Sequence, residues 1–350
     1  MRKTVIGAWL VLLLAVFGTV VASQGGPPHP PPPGPRDPGM GRPPVPPPGG
    51  GDMKKNSGPR VYQVPPSIKL KVYRFVDVHS HITEPGRDLD EIIAFMDANN
   101  IDRIILQGMN IRGKMTGVDT ITRDAVERYP ERFLALMYEF IPAEQEAVAY
   151  VLENMASGPF RGIGELFVNG HGTTYQGDSD ILLAIYAAVG ERGGVVSSHW
   201  TIGSNSKNEP GTDDKLSEIK NALDANPKTT FILCHAGAGP PPLKSNYQSM
   251  IEELLSSYPN LYIDIAGMHI DLYDSEGNLT DLGKIILDMI KKFPDRFMVG
   301  FDMLGTEYAN VGKARNIVNL YRLYLGNLPD ATAIKVASGN AEKVYGIKKE

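Results

Sequence analysis

Cysteine is almost absent from this sequence: Cys234 is the only one in 350 residues. No intramolecular disulfide can form, so an oxidising compartment leaves the fold unaffected, and a closed structural zinc site of the cysteine-rich kind is excluded. Concentrated positive charge is missing too. Lys and Arg number 35 against 40 Asp and Glu, for a net charge of -5, with no basic block beyond the N-terminus. Neither a nucleic-acid surface nor a polybasic membrane patch is therefore indicated. No GxGxxG follows the first apolar run of the folded region, which removes the usual dinucleotide fingerprint. What remains is a chain with 42% hydrophobic residues, enough for a large core, and a small soluble molecule as the expected substrate class.

The first 23 residues, MRKTVIGAWLVLLLAVFGTVVAS, place Arg2 and Lys3 before an apolar run and small residues around Val20 and Ala22, the pattern of a signal peptide. Export to the periplasm or the exterior is expected. The run from Thr4 to Val21 approaches the ~18 residues of a spanning helix, so an uncleaved membrane anchor is the competing reading. Residues 24–60 read as a linker: 13 of the 28 prolines fall between Pro27 and Pro48, which predicts an extended, polyproline-like spacer. Its His29 reads as a solvated linker residue.

From residue 61 to 350 the pattern changes to short β-rich runs alternating with amphipathic segments. The strand candidates are RFVDVHSHI, DRIILQGM, FLALMYEF, GIGELFV, GVVSSHW, TTFILCHAG, LYIDIAG and FMVGFDM. Between them lie helical patterns such as DLDEIIAFMDANN, AEQEAVAYVLENMA and LTDLGKIILDMIKKFP, with Pro227, Pro259 and Pro294 where helices should stop. Eight strand–helix units in one stretch predict a single-domain α/β protein, a (β/α)8 TIM barrel. A doubly wound open sheet is the alternative. The apolar face of ILLAIYAAVG is expected to cover the barrel, and the oligomeric state stays open.

The polar residues at strand ends carry the chemistry. His79 and His81 close strand one, His199 strand five and His235 strand six, while Glu165 lies in strand four and Asp302 in strand eight. In a barrel these ends ring one mouth. Each has an ordinary explanation alone, but four imidazoles and two carboxylates converging on one place are costly to bury without a cation. A metal site is expected, holding zinc or, failing that, manganese or iron. Alternation directs Cys234, next to His235, away from that site and into the core.

Other polar residues near the mouth carry weaker expectations. His171 and His269 read as solvated loop histidines, with substrate contact as the alternative, and Arg112, Lys114 and Lys207 as ordinary loop surface charges, with binding of a substrate carboxylate or phosphate as the alternative. The Gly/Pro-rich loops TIGSNSKNEPGTDDK and GAGPPPLK are expected to shape the substrate pocket.

The motifs DVHSH, GIGEL, SSHW, ILCHAG and VGFDM, with the closing GNAEKVYGI, resemble the amidohydrolase superfamily, in particular its amidohydrolase-related branch, with a TatD-like feature in the strand-four glutamate. The resemblance covers residues 72 to 347. It implies that His79, His81 and Asp302 hold one metal, that His199 and His235 hold a second, and that Glu165 bridges them. In members with a single metal, the strand-six histidine, here His235, assists chemistry. The resemblance implies a metal-dependent hydrolase acting on an amide, ester, lactone or phosphoester. Asp302 would then take the proton of the attacking water and pass it to the leaving group. A decarboxylase or hydratase of the same branch is the second reading, and a non-catalytic metal-binding barrel tethered to the envelope is the third.

Overall fold

The computed structural model describes residues 61–110, 116–170, 172–206 and 212–348. The signal segment and linker, with His29, Arg112, Lys114, His171 and Lys207, lie outside the described residues.

Eight parallel strands pair in chain order: β1 (Phe75–Ser80), β2 (Ile101–Gln107), β3 (Phe133–Met137), β4 (Phe160–Phe167), β5 (Val195–His199), β6 (Thr230–Leu233), β7 (Leu261–Asp264) and β8 (Phe297–Met298). Backbone bonds between β1 and the residues just after β8 nearly close the ring. Val78 N–H donates to Val299 O at 3.1 Å, His81 N–H to Met303 O at 2.8 Å, and Asp302 N–H to His79 O at 2.6 Å. The architecture is the expected TIM barrel.

Helices α1 (Leu89–Ala98), α2 (Val118–Arg128), α3 (Glu146–Ser157), α4 (Asp180–Gly190), α5 (Thr212–Ala225), α6 (Tyr247–Ser257), α7 (Asp281–Lys292) and α8 (Val311–Leu325) follow the strands in turn. Several start where a side chain can accept the first free N–H groups: Asp88 for α1, Ser179 for α4, Thr280 for α7 and Asn310 for α8. Each such cap contributes about 1 kcal/mol.

Val76, Val78, Ile105, Leu136, Val195, Ile232 and Met298 fill the barrel interior below the mouth. Ala341 and Tyr345, from the short C-terminal helix Asn340–Tyr345, pack into the same cluster. Asn340 fixes that helix by donating to Pro294 O and Phe297 O at 2.9 and 2.8 Å. The GNAEKVYGI segment thus closes the end of the barrel opposite the polar residues.

The two loops expected to shape the mouth are joined to each other. Ile202 and Gly203 N–H both donate to Gly237 O, Asn205 N–H to Pro242 O, and Lys244 N–H to Gly203 O. A two-residue hairpin after β4, pairing Asn169–Gly170 with Thr173–Thr174, was not legible in the pattern.

Candidate metal centre

β1 delivers both histidines from an irregular strand. Its register shifts between Asp77 and Ser80, and the buried Asp77 carboxylate takes up the backbone groups released there. Asp77 Oδ1 accepts from His79 N–H at 3.1 Å and Phe301 N–H at 2.9 Å, and Oδ2 accepts from Ser80 Oγ at 2.6 Å. The two imidazoles end 5.1 Å apart between ring centroids, both fully buried.

Glu165 sits between the histidine pairs. Its Oε2 lies 3.3 Å from His79 Nε2 and 3.5 Å from His81 Nε2, while Oε1 lies 2.8 Å from His199 Nδ1 and 2.9 Å from His235 Nε2. The second glycine of GIGEL lets β4 pack closely on its neighbours: a Cβ on Gly164 would come within 2.7 Å of both Gln107 Oε1 and Ser197 Cβ. Asp302 Oδ1 completes the cluster, 3.8 Å from His79 Nε2 and 3.5 Å from His81 Nε2. All six residues expected from the sequence therefore meet in one place. They form two donor groups, His79–His81–Asp302 and Glu165–His199–His235, each with its ligand atoms within 4.8 Å of one another.

Two of the six arrive by a different route from the one expected. β8 ends at Met298, so Asp302 is a loop residue, held at φ 53 by its N–H bond to His79 O. Gly267, at φ +66, makes room for it, since a Cβ there would lie 2.6 Å from Asp302 Oδ2. β6 likewise ends at Leu233, and His235 lies in the turn Cys234–Gly237 at φ 52.

That turn corrects the expectation for Cys234. Once the chain leaves the strand, His235 no longer points opposite to its neighbour, and Cys234 faces the cluster, its ligand atom within 4.8 Å of those of His79 and Glu165. His269 is also corrected: its Nδ1 is buried without a hydrogen-bond partner among the described residues, and burial lowers its pKa to about 4.

The imidazole tautomers follow from their outer partners. His79 Nδ1 meets Asp264 Oδ2 at 3.0 Å, His81 Nδ1 meets Gln107 O at 3.0 Å, and His235 Nδ1 meets Ala266 O at 2.8 Å. Carboxylate and carbonyl oxygens only accept, so each Nδ1 carries the proton and each Nε2 turns its lone pair toward Glu165 or Asp302. His79 Nε2 and His81 Nε2 are buried with no hydrogen-bond partner among the described residues. Lone pairs facing carboxylates repel unless something positive lies between them, and a divalent cation meets that need with the donors present.

Without a cation, protons would have to take its place. Burial opposes the charge on Glu165, but His79, His199 and His235 outweigh it and hold the carboxyl well below its usual range. Burial likewise opposes a charged His235, yet Glu165 raises it to about 9. Desolvation likewise opposes the charge on Asp302, yet His81, His79 and His235 beside it lower its carboxyl to about 2.

Asp264 is the site residue that the sequence reading missed. It is fully buried on β7, and besides His79 it accepts from His235 N–H at 2.8 Å and Ala266 N–H at 3.1 Å through Oδ1. A lone carboxylate inside LYIDIAG was the available signal.

A closed parallel barrel with an imidazole–carboxylate cluster at its mouth defines a class of metal-dependent barrel proteins. Within that class the amidohydrolase family model matches residues 76–347, and the chain belongs to that family. No curated protein matches the chain by sequence. Among solved structures, the chain is similar to a probable 2-pyrone-4,6-dicarboxylic acid hydrolase of Acinetobacter baumannii with citric acid bound: 13% identity, TM-score 0.58, 78% of this chain and 100% of that one. It is also similar to 5-carboxyvanillate decarboxylase of Sphingomonas paucimobilis, at 16% identity and TM-score 0.53 over 79% and 99% of the two chains. A third is a dihydroxybenzoic acid decarboxylase of Polaromonas with bound manganese and an inhibitor, at 14% identity and TM-score 0.51 over 79% and 98%. At these identities the likeness concerns the fold.

Proposed function

We propose that this chain is an exported metal-dependent hydrolase that cleaves an amide, ester, lactone or phosphoester bond in a small molecule. The supporting observation is Glu165, whose two oxygens face different histidine pairs, His79 and His81 on one side, His199 and His235 on the other. That is the arrangement of a bridging ligand between two cations, the TatD-like feature of the sequence. Zinc is the preferred ion for these donors, with manganese or iron as the alternatives.

A divalent cation bound there would polarise the substrate oxygen and bring the pKa of a bound water to ~7. The protein supplies orientation and proton transfer. His79, His81 and His235 are locked by their Nδ1 partners, so their donor atoms need no reorganisation. Asp302 is 31% exposed beside the fully buried His79 and His81, so it lies on the approach from the mouth. Its carboxylate accepts the proton of the attacking water and delivers it to the leaving group. His235, 21% exposed, lines the same approach and assists there.

The decarboxylases among the similar structures favour a lyase as the second reading. The full chain, loaded with zinc or manganese, should hydrolyse members of a panel of esters, lactones, amides and phosphoesters. Release of carbon dioxide from aromatic carboxylates with no hydrolysis in the panel would replace this proposal with the lyase reading.

A further inference from the structure

We propose that Cys234 is an additional sulfur donor to the cation that His79 would hold, standing with His79 and the bridging Glu165 at the floor of the centre. The inference rests on the metal-centre reading and adds to it a ligand of different chemical class.

The placement comes from the end of β6. Ile232 belongs to the cluster that fills the barrel interior, and Cys234, two residues on, keeps the same inward direction while the chain turns at His235. The Cys234 side chain is 1% exposed, and the ligand atoms of His79, Glu165 and Cys234 all lie within 4.8 Å of one another. A second, independent observation points into the same space. His79 Nε2 is fully buried, 3.3 Å from Glu165 Oε2, and has no hydrogen-bond partner among the described residues. On its other side the sulfur meets Ser197 Oγ at 3.2 Å, a hydroxyl that can donate to a thiolate.

The burial pattern gives this sulfur a specific role. His199, His235 and Asp302 are partly exposed at the mouth, whereas His79, Glu165 and Cys234 lie beneath them. Sulfur, nitrogen and carboxylate donors below would hold a cation and leave the mouth side free for substrate. Binding breaks the S–H bond. The sulfur keeps the electron pair and shares it with the cation, and one proton per cation leaves for solvent. A thiolate also biases the site toward zinc, cobalt or cadmium over manganese, because soft ligands favour softer ions.

The test is cobalt(II) titration of the metal-free full chain, with bound cobalt counted by elemental analysis. A sulfur-to-cobalt charge-transfer band in the near ultraviolet should accompany the weak visible bands of the ion. In Cys234→Ser and Cys234→Ala the near-ultraviolet band should vanish while cobalt stays bound, and the preference for zinc over manganese should fall about tenfold or more. Because Cys234 is the only thiol in the chain, the wild-type spectrum decides even where a variant fails to fold. Bound cobalt with visible bands but no near-ultraviolet band would overturn this proposal and leave the metal centre standing. No bound cobalt at all would overturn both.

Discussion

Asp264 and His79 form a carboxylate–imidazole pair with both side chains fully buried, Oδ2 standing 3.0 Å from Nδ1. The pair fixes which nitrogen of His79 faces the cluster, and the other Asp264 oxygen fixes the turn that carries His235. One β7 side chain therefore orients residues from both donor groups. Asp264→Asn should weaken metal binding by about 10–100-fold, as loss of an outer-shell partner does elsewhere. Asp264→Ala should in addition destabilise the fold by about 1–3 kcal/mol, since His235 N–H and Ala266 N–H lose their buried acceptor. Calorimetric metal titration and denaturant unfolding read the two effects separately.

Asp302→Asn keeps the shape of the side chain and suits the backbone, because asparagine tolerates the left-handed conformation at φ 53. It removes the proton acceptor. Turnover on whichever hydrolysable substrate emerges should fall by about 10²–10⁴-fold with cation still bound. A loss under about tenfold with full metal occupancy would take Asp302 out of the proton-transfer role.

Away from the centre, Asp119 in the first turn of α2 is 4% exposed and accepts from Tyr138 N–H, Glu139 N–H and Tyr150 Oη. Burial dominates and raises its pKa to about 6. Its folded pKa lies above the unfolded value of 3.8, so the folded state binds the proton more tightly between the two. Stability from this group is therefore greatest below pH ~4, falls as pH rises to ~6 and is level above, a change of roughly 3 kcal/mol. Chemical unfolding from pH 4 to 7 should show that slope reduced in Asp119→Asn; an unchanged slope would contradict the assignment.

The sequence was most legible where strand periodicity and function coincide. His79, His81, Glu165 and His199 lie in or directly beside strands, and barrel geometry brings such strand ends together even where the register shifts, as it does at His79 and Glu165. Asp302 and His235 were identified as site residues, but both lie past the ends of their strands, at positive φ. Alternation counted back from His235 sent Cys234 to the wrong face, because the turn at His235 breaks the period, whereas Cys234 keeps the inward direction of Ile232. Asp264 escaped notice for another reason: its partners, His79 and the amide of His235, come from other strands, and no local pattern encodes them. The β4 hairpin has only two residues per strand, too few to show any period.

The central claim is that Glu165 joins two cation sites, and its most direct test is metal content. Elemental analysis of the wild-type protein and Glu165→Ala, reconstituted in parallel with zinc, should give about two equivalents for the former and one or none for the latter. A single equivalent that the substitution leaves unchanged would remove Glu165 from the centre and contradict the account.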